Sequence, residues 1–267
     1  MNYDEEIAKE KAYSQLVVKG NDLIQQKRYS LTATQQKFLA YVVSKIKPDD
    51  TIDTCYEITV SDFCSLAGID KDYFYTEFIK MIDRFDEQSF WVDTKEELYK
   101  FRWFNDTTYV KGAGKVHLYL SRHLKDYLIG LTSNFTQYEL YNVMALHSKY
   151  AIRLFEIFKS YEYQHYKVFD IDDIKHLLYA DNYKNYKDFR IRVIEPAIRE
   201  IKEFTELDVA YEPIFKGKKV VQIAFKINLK DFRERMTAYY NTREKLDRES
   251  GQVPGQLNIY DVYGDDI

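Results

Sequence analysis

The chain has 267 residues, 45% of them hydrophobic, with 39 Lys/Arg against 43 Asp/Glu and a net charge of −4. This composition excludes a disordered chain and supplies a packed core, in one large domain or two of about 130 residues each. No apolar run approaches the roughly 18 residues of a membrane span, the charged start MNYDEEIAKEKAYSQL does not read as a secretory signal, and Cys55 and Cys64 fit reduced thiols rather than a disulfide framework, so a cytoplasmic protein without membrane contact is expected.

In chain order, LTATQQKFLAYVVSKIKPD (31–49) carries Phe38, Leu39, Val42, Val43 and Ile46 at helical spacing, with Thr32 as N-cap and Pro48 as stop. YEITV follows as an extended piece. SDFCSLAGIDKDYFYTEFIKMIDRFDEQ reads as a helix capped by Ser61, a turn at Gly68, and a second helix from about Lys71. SFWVD, FRWFNDTTYV and GKVHLYLS are rich in β-branched and aromatic residues and read as three strands. From Leu131 the order begins again. YNVMALHSKYAIRLFEIFKSYEY reads as one long helical segment, VFDIDDIKHLLYA as an extended piece and a helix, and NYKNYKDFRIRVIEPAIREIKEF as a further helix. LDVAYEPI and VVQIAFKINL read as strands joined by the five-residue loop FKGKK.

Helix, strand, helix–turn–helix and strands therefore occur twice. Asp62-Phe63 with Leu66 matches Asp173-Ile174 with Leu177 at an offset of 111 residues. The expected fold is α+β, two tandem winged helices: residues 1–130, residues 131–230, and a C-terminal tail over 231–267, acidic at its end.

In the helix after Asn182, Ile191, Ile194, Ile198 and Ile201 share one face, widened by Val193 and Ala197, and Arg192, Glu195, Arg199 and Lys202 fall on the other side. Asn185 or Asp188 caps its start, which leaves Lys184, Tyr186 and Lys187 at the N-terminal end, where a recognition helix contacts base edges. Arginine there can hold guanine O6 and N7 with both arms, and lysine anchors on phosphate. Pro196 removes a backbone hydrogen bond and should bend the helix. Lys216, Lys218 and Lys219 lie in the following loop, where a winged helix touches the sugar–phosphate backbone. From Tyr183 to Lys230 there are 11 Lys/Arg against 7 Asp/Glu, so the negative sum hides a basic region. The DNA candidates from this reading are Lys184, Asn185, Tyr186, Lys187, Arg190, Arg192, Arg199, Lys216, Lys218 and Lys219.

The run DFRIRVIEPAIREIKEFTELDVAYEPIFKGKKVVQIAFKI resembles the second winged-helix domain of the plasmid replication initiator family, the RepB/RepE-like initiators of theta-replicating plasmids that carry origin repeats (iterons). VVKGNDLIQQKRYSLTATQQKFLAYVVSKI resembles the start of their first domain, and HSKYAIRLFEIFKSY the opening helix of the second. The resemblance spans about Val17 to Leu229. It implies a bacterial, plasmid-encoded protein that binds repeated double-stranded DNA at an origin and opens the adjacent duplex for host replication proteins such as a helicase and initiator. It implies that the second domain does most of the base reading, with Lys187, Arg190, Arg192, Lys218 and Lys219 carried over. By the same resemblance the first domain dimerises and contacts DNA backbone through Lys71 and Lys80. A homodimer that represses its own gene, in equilibrium with an initiating monomer, is implied in the same way.

Other chemistry fails on spacing. VKGAGKVHL lacks the first glycine and the hydroxyl residue of a phosphate loop, so it reads as a hairpin turn. The five histidines contain no pair one residue apart to hold a metal beside a nicking tyrosine, and the two cysteines lack zinc-site spacing. No cofactor, metal or catalytic group is expected. The 25 tyrosines and 17 phenylalanines sit mostly in apolar faces, as core rather than as stacking platforms for single strands. The rival functions are a transcriptional regulator of the same architecture, a protein–protein adaptor, and a nucleolytic initiator.

Overall fold

A computed structural model describes residues 15–93 and 98–250, with side chains at all of these except 71–73, 75, 76, 86 and 90–93. The first half runs β1 (Leu16–Gly20), α1 (Asn21–Gln26), α2 (Ala33–Val43), β2 (Cys55–Thr59), α3 (Val60–Ala67), α4 (Lys71–Glu87), β3 (Phe90–Asp93), β4 (Leu98–Phe101), β5 (Phe104–Val110), β6 (Lys115–Leu120), α5 (Lys125–Leu128) and β7 (Phe135–Glu139). The second runs α6 (Tyr141–Met144), α7 (Lys149–Ser160), β8 (Tyr166–Asp170), α8 (Ile171–Leu177), α9 (Tyr186–Phe189), a π turn (Arg190–Ile194), α10 (Glu195–Phe204), β9 (Leu207–Lys216), β10 (Lys219–Leu229) and α11 (Phe232–Glu249).

The repeat is real in three dimensions. The first sheet has the order β2-β6-β5 and the second β8-β10-β9, so each unit places its lone strand beside the outgoing arm of its hairpin. Strands β2 and β8 start and end 111 residues apart, and so do the starts of α3 and α8. Two tandem winged helices are the architecture. The start of the next helix drifts to an offset of 115, because the second copy has a longer turn before α9.

Four local expectations change. Ser61 is not a cap: α3 begins at Val60 after Thr59, and the Val60 N–H donates instead to the Gly114 carbonyl, 2.9 Å away in the hairpin turn. The strand FRWFNDTTYV breaks after Phe101, where Trp103 turns fully inward and meets the Tyr29 ring edge-on at 5.0 Å. The long helix from Tyr141 breaks after Met144. Ser148 Oγ accepts from the Tyr150 N–H, and Glu200 accepts from the His147 N–H at 2.7 Å, so two polar groups satisfy a fresh helix start. Within the C-terminal segment expected as a tail, residues 232–249 form α11, opened by a capping box between Asp231 and Glu234. The residues after it lie outside the described set.

One core runs through both units, with Phe38 meeting Phe63 and Phe78 edge-on in the first and Phe158 meeting Phe225 in the second. Three features tie residues 16–67 to residues 135–249. Strand β1 pairs with β7, from Leu16 opposite Glu139 to Gly20 opposite Phe135. Helix α2 packs on α7, and α11 packs on α3, α6 and α10. Beneath the strand pair lies a buried ionic cluster. Lys19 Nζ donates to Glu156 at 2.5 Å, the Tyr138 hydroxyl donates to the same carboxylate at 2.6 Å, and Arg153 stands 3.8 Å from it. Arg153 also donates to the Tyr29 hydroxyl and the Lys27 carbonyl, both at 2.8 Å.

Lys37, on α2, is buried and feels the charges of Lys245 and Glu249 on α11. Burial pulls its ammonium down to about 8, with Glu249 opposing that shift and Lys245 adding to it. Between about pH 8 and the ordinary lysine value near 10.4 the folded chain therefore holds fewer protons at this site than the unfolded chain, and stability rises with pH across that window. Lys37→Met should raise unfolding free energy near neutral pH by ~1–3 kcal/mol, with the gain shrinking above pH ~10. Urea denaturation of both proteins at pH 7 and pH 10 measures it. A destabilised variant at pH 7 would contradict the burial penalty.

Candidate nucleic-acid interface

The helix that opens at Tyr186 is capped by Asn185, whose Oδ1 accepts from the Asp188 N–H at 2.8 Å while its own amide donates to the Asp188 carboxylate. Of the two capping residues the sequence allows, Asn185 is the one used. Lys184, Lys187, Arg192 and Arg199 are exposed along this helix. Tyr186 is half-buried, and burial raises its phenol. Arg190 turns back onto the helix, 3.6 Å from Glu195, whose carboxylate also accepts from the Tyr211 hydroxyl at 3.0 Å.

The helix is not a continuous α-helix. The Glu195 N–H donates to the Arg190 carbonyl five residues back, closing the π turn immediately before Pro196. Phe189 and Ile194, five residues apart, are both fully buried. On an α-helix they would stand about 140° apart. The extra residue in the turn brings Phe189 into the core and swings Ile191, expected there, out to 43% exposure. Val193, Ile194, Ala197, Ile198 and Ile201 keep the core face the spacing predicts. The disturbance expected of Pro196 takes this form.

The wing is tighter than expected. Strand pairing continues to Lys216 opposite Lys219, so the connection is a two-residue turn, Gly217-Lys218, and not a five-residue loop. Gly217 adopts φ +64° at the first central position, the backbone that lets a two-residue hairpin follow the strand twist. Lys216, Lys218 and Lys219 all point to solvent around it.

Most exposed cations elsewhere on the second unit are matched: Lys202 with Asp208 at 2.9 Å and Lys226 with Glu212 at 3.3 Å. Among the described residues, Lys184, Lys187, Arg192, Arg199, Lys216, Lys218 and Lys219 have no carboxylate within ion-pair distance. On the second unit, the fully exposed cations without a carboxylate partner lie on the helix, the residues just before it and the wing turn.

The first unit differs. Lys71 opens α4 with its side chain outside the described set, and Lys80 is paired with Glu77 at 2.8 Å. At the foot of its wing, Lys115 and His117 share Glu57. A cavity of about 350 Å³ between α4 and β5, floored by Phe78, Ile82 and Phe104, carries Asp83 and Asp106. In the first unit Lys80 is thus ion-paired and the cavity beside α4 bears two acids, whereas Lys111 in the wing turn is exposed and has no ion pair among the described residues. VKGAGKV forms the turn between β5 and β6, as expected, with Gly112 and Gly114 at positive φ.

Arg28, unremarked in the sequence, reaches from the segment before α2 to the turn ahead of α9. It lies 4.2 Å over the Tyr179 ring and pairs with Asp181 at 2.6 Å, where Tyr179 is held at φ +55°. Its partner is 153 residues away, and no local signal marks it. Among the described residues no three His, Cys, Asp or Glu side chains cluster to hold a metal, and no helix is long and apolar enough to cross a membrane.

The protein-family model described as "Initiator Replication protein, WH1" matches residues 16–159, and the one described as "Initiator Rep protein, WH2" matches residues 170–227. Among solved structures the chain is similar to one described as the Pi initiator protein in complex with iteron DNA. The TM-score is 0.68 at 18% identity, over 82% of this chain and 99% of that one, a likeness of fold.

Proposed function

The chain belongs to the replication initiator family with tandem winged-helix, DNA-binding domains, and from that premise we propose that it binds direct repeats at a plasmid origin and promotes opening of the adjacent duplex. The observation that carries the proposal is that, on the second unit, the exposed cations without a carboxylate partner gather at the helix and the wing turn. On this reading residues 131–230 form the main reading domain. Lys187 and the wing lysines hold phosphates, and Arg192 reads a base. Arg190 contributes once it exchanges Glu195 for DNA. The first domain, 1–130, dimerises and touches backbone, and a dimer represses the protein's own gene while the monomer recruits host helicase and initiator in the cytoplasm. The solved relative with iteron DNA supports the choice of repeated duplex as ligand.

The test is fluorescence anisotropy of the full chain with the repeats flanking its gene, against scrambled duplex, across a salt series. Selective binding is expected, with log K falling against log salt by about 0.9 per neutralised phosphate. Weak, equal binding to both duplexes would remove the reading, and selective binding without replicon maintenance would leave a transcriptional regulator. Arg192→Ala should cost about 1–3 kcal/mol at one base position, while Lys218→Ala should weaken all sequences alike and lower the salt slope by about 1. If Arg192→Ala loses equally on cognate and scrambled DNA, Arg192 reads no base.

A further inference from the structure

Ile191 does not belong to the core beneath its helix. It is 43% exposed, outside the isoleucine stripe that builds the core, and it is there because the π turn rotates it off that stripe. A β-branched residue is a mediocre helix former, so an exposed isoleucine is not there to stabilise the helix. Single exposed apolar side chains are common, but the surroundings of this one are specific. It follows Lys187 by one helical turn on the exposed side and precedes Arg192, so it is an apolar side chain between two exposed cations that no carboxylate pairs.

Resting on the DNA-reading function proposed above, we propose that Ile191 is a specificity-determining residue that packs against the C5 methyl of a thymine in the major groove. The thymine methyl is the apolar feature that distinguishes this base among the groove edges, and aliphatic side chains recognise it by contact. The branched side chain suits the task. Its χ1 is nearly fixed in a helix, so its methyl groups are already placed and little rotamer freedom is lost on contact. The flanking residues take the other chemistries of the groove, guanine and phosphate, so the isoleucine adds recognition of a base that neither arginine nor lysine selects.

The test pairs a protein methyl with a DNA methyl. The full chain and Ile191→Ala are titrated against a duplex repeat in which each thymine is replaced in turn by deoxyuracil, which lacks only the C5 methyl. The wild type should lose about threefold to tenfold in affinity at one thymine of the repeat. Ile191→Ala should lose a similar factor on the unmodified repeat and show no further loss when that thymine is replaced, because the two deletions remove one contact. Ile191→Val, which keeps a branched side chain, should retain the sensitivity. Selective wild-type binding that is indifferent to every replacement, or an alanine variant with the same sensitivity at every position, overturns the assignment and leaves the parent function standing. A wild type that does not prefer the repeat over scrambled DNA overturns both.

Discussion

Glu156→Ala should lower the unfolding free energy by roughly 3–5 kcal/mol, as expected when one partner of a buried ionic cluster is removed. Lys19 and Glu156 are 2% and 1% exposed, so neither can be rescued by water if the other is lost. The carboxylate is contacted by Lys19, Tyr138 and Arg153, drawn from β1, β7 and α7, and its loss leaves two cations facing each other in a dry interior. Lys19→Met combined with Glu156→Leu should lose less than the sum of the single changes, because the one buried cation left, Arg153, still donates to the Tyr29 hydroxyl and the Lys27 carbonyl. The cluster also sets an acid limit. Burial alone would raise the Glu156 carboxyl, but Lys19 and Arg153 overcome it and hold the group below the ordinary carboxylate range. Its contribution is therefore present above about pH 4.3 and is lost as pH falls through the lower folded value. Urea titrations at pH 7 and at steps from about pH 4 downward measure both effects, and a loss under 1 kcal/mol for Glu156→Ala at pH 7 would mean the cations find other partners.

Gly68→Ala is expected to cost about 2–4 kcal/mol, from two sources that can be separated. The residue sits at φ +67°, and an added Cβ would stand 3.0 Å from Leu246 Cδ2 and 3.2 Å from the Leu246 backbone. A side-chain end can turn aside, but the backbone of α11 cannot move without disturbing Thr242, which donates to the Phe204 carbonyl at 2.9 Å, and Lys245, which donates to the Ala145 carbonyl at 2.8 Å. Gly112→Ala is the control. It shares the strained conformation, at φ +78°, with nothing within 4 Å of its Cβ, so it should lose only about 1 kcal/mol. Amide exchange should show α11 losing protection in the first variant and keeping it in the second. Equal losses and equal protection would mean that α11 is not tightly held at Gly68.

What could be read from the sequence was what local pattern encodes. Strand β2 with α3, and β8 with α8, each lie within about a dozen consecutive residues, so their 111-residue offset survives in the text of the chain. The Thr32 cap and the buried isoleucines from 194 to 201 are local in the same sense. The π turn escaped because a fixed 100° per residue has no place for an extra one, and Ile191 was misassigned as a direct result. Strands β1 and β7 escaped because five residues of unremarkable composition become a strand only when a partner more than a hundred residues away is known. Helix α11 reads as a charged tail because 18 residues with few apolar positions have a weak period, although Met236, Tyr239 and Leu246 are enough to seat it. No local pattern marks Lys19, Lys37 and Glu156 as buried, because what buries them is not nearby in the chain. At the interface, the types and places of the cations were legible, but their state of pairing was not, and pairing separates Lys80 and Arg190 from Lys187 and Arg192.

The bond from Lys19 to Glu156 closes a loop of 137 residues. On a ribosome adding about 5–20 residues per second, the partner of that lysine is polymerised roughly 7–27 s after it. For that interval the nascent first winged helix has its outermost strand without a neighbour and a cation without a counterion, although almost all of its own sequence has been made. Its completion thus waits on β7 and α7, which belong to the boundary and the opening of the second copy. A tandem repeat suggests two modules that mature one after the other. Here the end of the first folding event is tied to the beginning of the second, so a gene fragment that stops before Phe135 should yield a protein that stays bound to chaperones or is degraded, even though it encodes a full set of winged-helix elements.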